Sequence, residues 1–121
     1  MAARTTLVDT SVRVEHFRQG VPELAEALNE GWVLMHPVVA GELACGNLKN
    51  RYSVLEMLDA LPCARVATHA EVRMMLDTHR LCGPGLGLID VNLLTSAALT
   101  QCRLRTLDKN LHEAASGLGL T

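Results

Sequence analysis

LIDVNLLTSAALTQCRLRTLD, residues 88–108, carries two acids, Asp90 and Asp108, with a helical pattern and a short β-prone run between them. Asp90, Leu93, Leu94, Ala97, Ala98 and Gln101 share one face by three-and-four spacing, so a carboxylate opens the apolar stripe of a helix. Residues 103–107 then predict a short strand. Because side chains alternate along an extended chain, Thr106 and Asp108 turn the same way. Both acids can therefore face one pocket.

Upstream, a β-prone run over 5–8 delivers Asp9 into a loop, and Thr10 or Ser11 can cap the helix that follows. That helix ends at Gly20, and Pro22 restarts the chain into a second helix that stops over 29–31. Residues 32–35 predict a strand closed by His36-Pro37, with Pro37 opening a helix to about Gly46. Glu42 lies three and four residues from Val39 and Val38 and three from Cys45, which places it on an apolar face. A carboxylate buried there needs a compensating partner. Val54, Leu55, Leu58 and Leu61 predict a helix ended by Pro62, and residues 64–67 a third strand. Thr68 caps a further helix with Glu71 in its first turn. The glycines of 83–87 predict an adaptable loop at the entrance to Asp90, and a last helix follows Asp108. Strands alternating with helices in this order imply right-handed crossovers and a parallel sheet covered on both faces. In such sheets ligands sit beyond the carboxyl ends of the strands, where Asp9 and Asp108 are expected.

The 121 residues suffice for one domain with a real core. Phe17, Trp32 and Tyr52 are the only aromatics, so that core is packed from Leu, Val, Ala and Met. No apolar run approaches the roughly 18 residues of a membrane span, and no signal-peptide core follows the charged start. The expectation is a cytosolic (cytoplasmic) protein with no membrane partner. Cys45, Cys63, Cys82 and Cys102 form no Cys-x-x-Cys pair, and their apolar neighbours predict buried, reduced thiols. The formal net charge of -2 lacks the basic footprint of a nucleic-acid binder. Carboxylates gathered on cations would nevertheless leave a surplus of Arg and Lys elsewhere.

Four carboxylates thus stand out: Asp9, Glu42, Asp90 and Asp108. Singly, each has an ordinary structural role as an N-cap or an ion-pair partner. Brought together at one sheet edge they repel unless a cation sits among them. Oxygen-only donors favour Mg²⁺ or Mn²⁺ over zinc. An aspartate-nucleophile phosphatase fits less well, because Thr10-Ser11 follows Asp9 without the second Asp that class needs. A receiver domain would want an acid pair ahead of its phosphorylated strand.

Leu7-Val8-Asp9-Thr10-Ser11, Glu42 within Val38-Val39-Ala40-Gly41-Glu42-Leu43, Ile89-Asp90-Val91-Asn92-Leu93-Leu94 and Arg105-Thr106-Leu107-Asp108 resemble the ordered acidic signature of PIN-domain nucleases, in particular the VapC toxins of bacterial toxin-antitoxin pairs. The resemblance covers essentially the whole chain. It implies a single PIN-like domain over 1–121, an α/β three-layer sandwich whose mostly parallel central sheet has four or five strands with helices on both faces. It further implies a Mg²⁺-dependent endoribonuclease acting on structured cellular RNA. Asp9, Glu42, Asp90 and Asp108 would hold one or two Mg²⁺ (or Mn²⁺) ions, and Thr106 would position a water or a ligand. The implied partners are the RNA substrate, a second copy in a homodimer, and a cognate VapB-like antitoxin that reaches into the active site with an Arg or Lys. Asn110 stands where some relatives carry a further acid, and the short tail leaves little for a last strand. Arg13, Arg18, Lys49, Arg51 and Lys109 are candidates for RNA backbone contacts. Leu24, Leu28, Leu55, Leu58 and Leu61 are the expected apolar surplus for a dimer. The alternative is a catalytically silent protein of the same fold that binds RNA or a protein partner, and metal-dependent cleavage separates the two.

Overall fold

The computed structural model describes residues 5–13, 28, 30–83 and 85–121. Among them the order is β1 (Thr6–Val8), β2 (Val33–Leu34), α1 (Pro37–Ala44), α2 (Arg51–Asp59), α3 (His69–Thr78), α4 (Leu88–Thr100), β3 (Arg103–Arg105) and α5 (Lys109–Gly117). Helical backbone also begins at Thr10 directly after β1. Most of the expected crossover helices, with Arg18 and Leu24, lie outside the described residues.

The sheet is parallel, with strand order β2-β1-β3. Alternation along β1 sends its side chains to two separate cores. Leu7 packs with Leu34, Val39, Leu43, Leu58, Leu93, Leu94, Leu104 and Leu111, whereas Val8 packs with Val33 and Val12. Apolar layers therefore cover both faces, as the sandwich requires.

Among the described residues, fewer strands form than expected. Residues 64–67 form no strand; a single bridge, Met35 to Cys63, stands just before them, closed by Met35 N to Pro62 O (2.8 Å) and Ala64 N to Met35 O (2.8 Å). The chain turns away after Ala64 to reach the N-cap at Thr68, so the ladder stops after one rung. On the opposite edge, Leu104 N donates to Leu120 O at 2.7 Å, so the short tail does run along the free side of β3.

Local signals set the helix ends. Pro37 opens α1 and His36 caps it, its Nδ1 accepting from Val38 N at 3.1 Å. With Nδ1 accepting, the ring proton sits on Nε2, which faces Ser96 Oγ of α4 at 3.1 Å; Ser96 Oγ also receives Ala67 N–H at 3.3 Å. Burial lowers the His36 pKa and keeps the ring neutral. Thr68 and Glu71 form a reciprocal capping box on α3. Replacing Thr68 by Ala removes the N-cap acceptor and is expected to cost about 1 kcal/mol, read by urea denaturation. An unchanged midpoint would show that the cap is energetically idle.

Several packing expectations are overturned. Cys45, Cys63 and Cys82 are exposed and only Cys102 is buried, because the first three lie at a helix end or in connecting loops. Leu58 is buried at 1% exposure, and Leu28, Leu55 and Leu61 are partly buried against the two cores, so they are not a free apolar patch. On α2 the exposed apolar side chains are instead Tyr52 and Met57. Helix α4 is buried on more than its expected stripe, since Val91, Thr95 and Ser96 are inside together with Leu93, Leu94 and Ala97. Helix α3 covers that second side, with Val72 against Val91 and Ala67. Among the described residues, no helix is long and apolar enough to cross a membrane.

Candidate active site

The carboxyl edge of the sheet opens into a cleft of about 550 Å³ lined by Asp9, Thr10, Ser11, Glu42, Gly87, Leu88, Ile89, Asp90, Leu93 and Asp108. All four sequence-nominated acids line it. Asp9 follows β1, and its N–H continues the ladder to Arg105 O at 3.0 Å. Asp108 is the N-cap of α5, its Oδ1 accepting from Leu111 N at 3.0 Å. Asp90 is the third residue of α4 and not its cap. Its Oδ2 accepts from Gly87 N at 3.0 Å, which holds the glycine loop against the helix start.

Glu42 departs from expectation. It is exposed, because α1 buries Val39 and Leu43, and the position between these inward residues faces the cleft. Its partner is Thr10, whose hydroxyl donates to Oε1 at 2.7 Å. Arg13 departs further. It is 3% exposed, with Nε donating to Val8 O (3.1 Å) and a terminal nitrogen to Leu34 O (3.0 Å). Burial pulls its pKa down to about 10, opposed by the Asp9 charge. Arg13 therefore ties β1 to β2 and is not available to a phosphate, whereas Lys49, Arg51 and Lys109 are exposed.

Thr106 is buried, and its hydroxyl donates to Asp9 Oδ2 while accepting Asp108 N–H at 3.0 Å. Sequence reasoning placed it beside Asp108; the structure adds that its proton goes to Asp9. Ser11, a cap candidate whose hydroxyl could also position a water or ligand, proves equally engaged: its N–H donates to Asp9 Oδ1 (2.7 Å), and its hydroxyl lies 3.2 Å from Oδ2. An acid followed two positions on by a residue with a free N–H is the local signature of such an Asx-type turn. Leu88 and Ile89 are exposed and line the cleft beside Asp90, as no periodicity argument had foreseen. In the loop before α4, Gly85 has φ +80°, a left-handed backbone that favours glycine, and it stands against the Asn110 side chain of α5.

The acids feel one another. The Asp90 carboxyl is held above its ordinary range, first by desolvation and then by the charges of Asp108, Asp9 and Glu42, with the Gly87 N–H opposing. Ionised Asp90 is thus less favourable in the folded chain than in the unfolded one. Its contribution to stability is present below the ordinary carboxylate value and is lost as pH rises through the raised one. Asp90→Asn in metal-free protein is expected to raise Tm at pH 7, with the gain shrinking as the pH falls into the acid range. An equal gain at every pH would remove this electrostatic account.

Among the described residues, no three His, Cys, Asp or Glu side chains converge into a ready-made metal site. The acids instead line the walls of one cleft. Their donor chemistry fits a hard divalent cation, since all four offer carboxylate oxygen and their mutual repulsion is what such an ion relieves.

No family model matches the chain. Over 115 residues, 94% of this chain and 93% of the relative, it is 44% identical to Ribonuclease VapC32 of Mycobacterium tuberculosis, both in strain CDC 1551 / Oshkosh and in strain ATCC 25618 / H37Rv. Identity at that level along nearly the full length of both chains, with a parallel α/β sheet and an acid-lined cleft at its carboxyl edge, makes this chain a member of the VapC family of PIN-domain ribonucleases.

Proposed function

We propose that the chain is the toxin of a type II toxin-antitoxin pair, a Mg²⁺- or Mn²⁺-dependent endoribonuclease that hydrolyses phosphodiester bonds in structured RNA. The observation that carries this reading is the gathering of Asp9, Glu42, Asp90 and Asp108 on the walls of one cleft at the carboxyl edge of the sheet. Four carboxylates kept in mutual repulsion cost stability without a partner, and a divalent cation is the partner that their chemistry selects. Asp9, Glu42, Asp90 and Asp108 would hold it. When bound, such an ion supplies positive charge that activates water and offsets the growing charge on the phosphate.

The chain's own residues do the rest. Ser11 and Thr106 orient Asp9, the Gly87 N–H orients Asp90, and the Leu111 N–H orients Asp108. Leu88, Ile89 and Leu93 give the cleft an apolar wall that limits water beside the acids. Exposed Lys109 follows Asp108 directly and is, with Lys49 and Arg51, a candidate contact to the RNA backbone. A VapB-like antitoxin would silence the site by placing an Arg or Lys among the same carboxylates. The proposed assembly is a homodimer, and a monomer by light scattering at micromolar concentration would remove that part.

The test is cleavage of cellular RNA with Mg²⁺, Mn²⁺ or a chelator, beside thermal denaturation of the same samples. Millimolar Mg²⁺ is expected to raise Tm by preferential binding to the folded chain, and cleavage is expected only with metal. RNA left intact and Tm unmoved at every metal concentration would favour a silent module of the same fold.

A further inference from the structure

We propose that Ser11 is a positioning residue that, together with Thr106, clamps Asp9 so that its carboxylate presents one open lone pair, on Oδ1, to a cation, and that locks the Asp108 turn onto the end of β1. This role rests on the metal-dependent reading above and goes beyond its four acids.

The two hydroxyls are used in parallel. Ser11 Oγ accepts Leu107 N–H at 2.9 Å and Thr106 Oγ1 accepts Asp108 N–H at 3.0 Å, so each takes one donor from the turn between β3 and α5. Each then has a single proton to give. Thr106 gives its own to Asp9 Oδ2, and Ser11 Oγ lies 3.2 Å from the same oxygen. The hydroxyls are 3.3 Å apart, but a carboxylate is the stronger acceptor for the Ser11 proton. Oδ1 receives Ser11 N–H at 2.7 Å.

A carboxylate has about four lone-pair sites, and among the described residues these bonds fill two on Oδ2 and one on Oδ1. Asp9 is thereby fixed in orientation and acceptor-only, with its remaining site on Oδ1. The Leu107 N–H bond spans 96 positions of sequence, so one serine hydroxyl joins the turn after β1 to the turn after β3. Removing it takes away one of the three bonds that hold Asp9, leaving Oδ2 to Thr106 alone, and strands the Leu107 N–H, while all four acids remain.

The test compares full-length parent, Ser11→Ala and Ser11→Thr by Mg²⁺ titration calorimetry, RNA cleavage and amide hydrogen exchange of metal-free protein. Ser11→Ala is expected to weaken Mg²⁺ binding and lower kcat by about 10- to 100-fold each, the usual cost of losing a group that orients a metal ligand. KM for RNA should hardly move, because the phosphate-binding surface is untouched. The Leu107 amide should be protected in the parent and exchange faster in Ser11→Ala, and Ser11→Thr should restore binding, rate and protection. Unchanged Mg²⁺ affinity in Ser11→Ala, an unprotected Leu107 amide in the parent, or a Ser11→Thr as impaired as Ser11→Ala would each overturn the role. If Ser11→Ala does not fold, the parent's Leu107 protection and the Ser11→Thr affinity decide alone. A parent that binds no Mg²⁺ overturns the reading of the site and this role together; a Mg²⁺-binding parent with an indifferent Ser11→Ala overturns this role only.

Discussion

Asp9→Asn is expected to lower metal-dependent RNA cleavage by about 100-fold or more, corresponding to roughly 3 kcal/mol of lost transition-state stabilisation, and to abolish growth inhibition with it. Asp9 stands at the centre of the cleft's hydrogen bonds, and among the described residues no other acid there takes two hydroxyls and a main-chain N–H. An amide keeps one acceptor oxygen but gives up the negative charge. In metal-free protein two effects oppose: weaker hydrogen bonds from Ser11 and Thr106 cost stability, and relief of Asp90 returns some. Tm without metal should therefore change little, while the rise with Mg²⁺ shrinks or disappears. Cleavage within a few-fold of the parent, at equal folding, would remove Asp9 from the set of metal ligands.

Leu94→Ala is expected to be the most destabilising of the substitutions considered, by about 3 kcal/mol, without touching any acid. Leu94 is fully buried in α4, in the core shared with Leu7 of β1, Leu104 of β3 and Leu111 of α5. Truncation leaves a cavity where the sheet meets α4, and partial collapse into it would tilt the helix that starts at Leu88 and carries Asp90. Urea denaturation should show a lower midpoint at an unchanged slope. A loss below about 1 kcal/mol would mean that this core is loosely packed, contrary to its burial.

The placements legible from sequence all depend on interactions a few residues long. Asp9 and Thr106 follow strands, Asp108 caps α5 and Asp90 sits in the first turn of α4, because strand alternation and orphan N–H groups at helix starts act within about four residues. The order of elements likewise implies parallel pairing, since each strand is separated from the next by helices.

What local pattern could not convey was how many neighbours each element acquires. A stripe at helical spacing says that one face of α4 is covered; that Val72 of α3 packs on Val91 and that His36 and Ala67 close over Ser96 depends on where the chain returns. The same holds for Leu58, read as a surplus apolar residue and found in the core, and for Glu42, read as buried and found at the open cleft. Arg13 was read as a surface cation, yet its guanidinium is fixed by the carbonyls of Val8 and Leu34, the latter 21 positions away. Thr106 reaches Asp9 across 97 positions, and Ser11 reaches the Leu107 N–H across 96. The sequence by itself therefore determined at which ends of strands and helices the four acids and Thr106 stand, since caps and alternation are short-range. Only the tertiary structure decided which of them are buried, which hydroxyls hold Asp9 and which charges burden Asp90, because desolvation and hydrogen bonding depend on neighbours that the fold brings together.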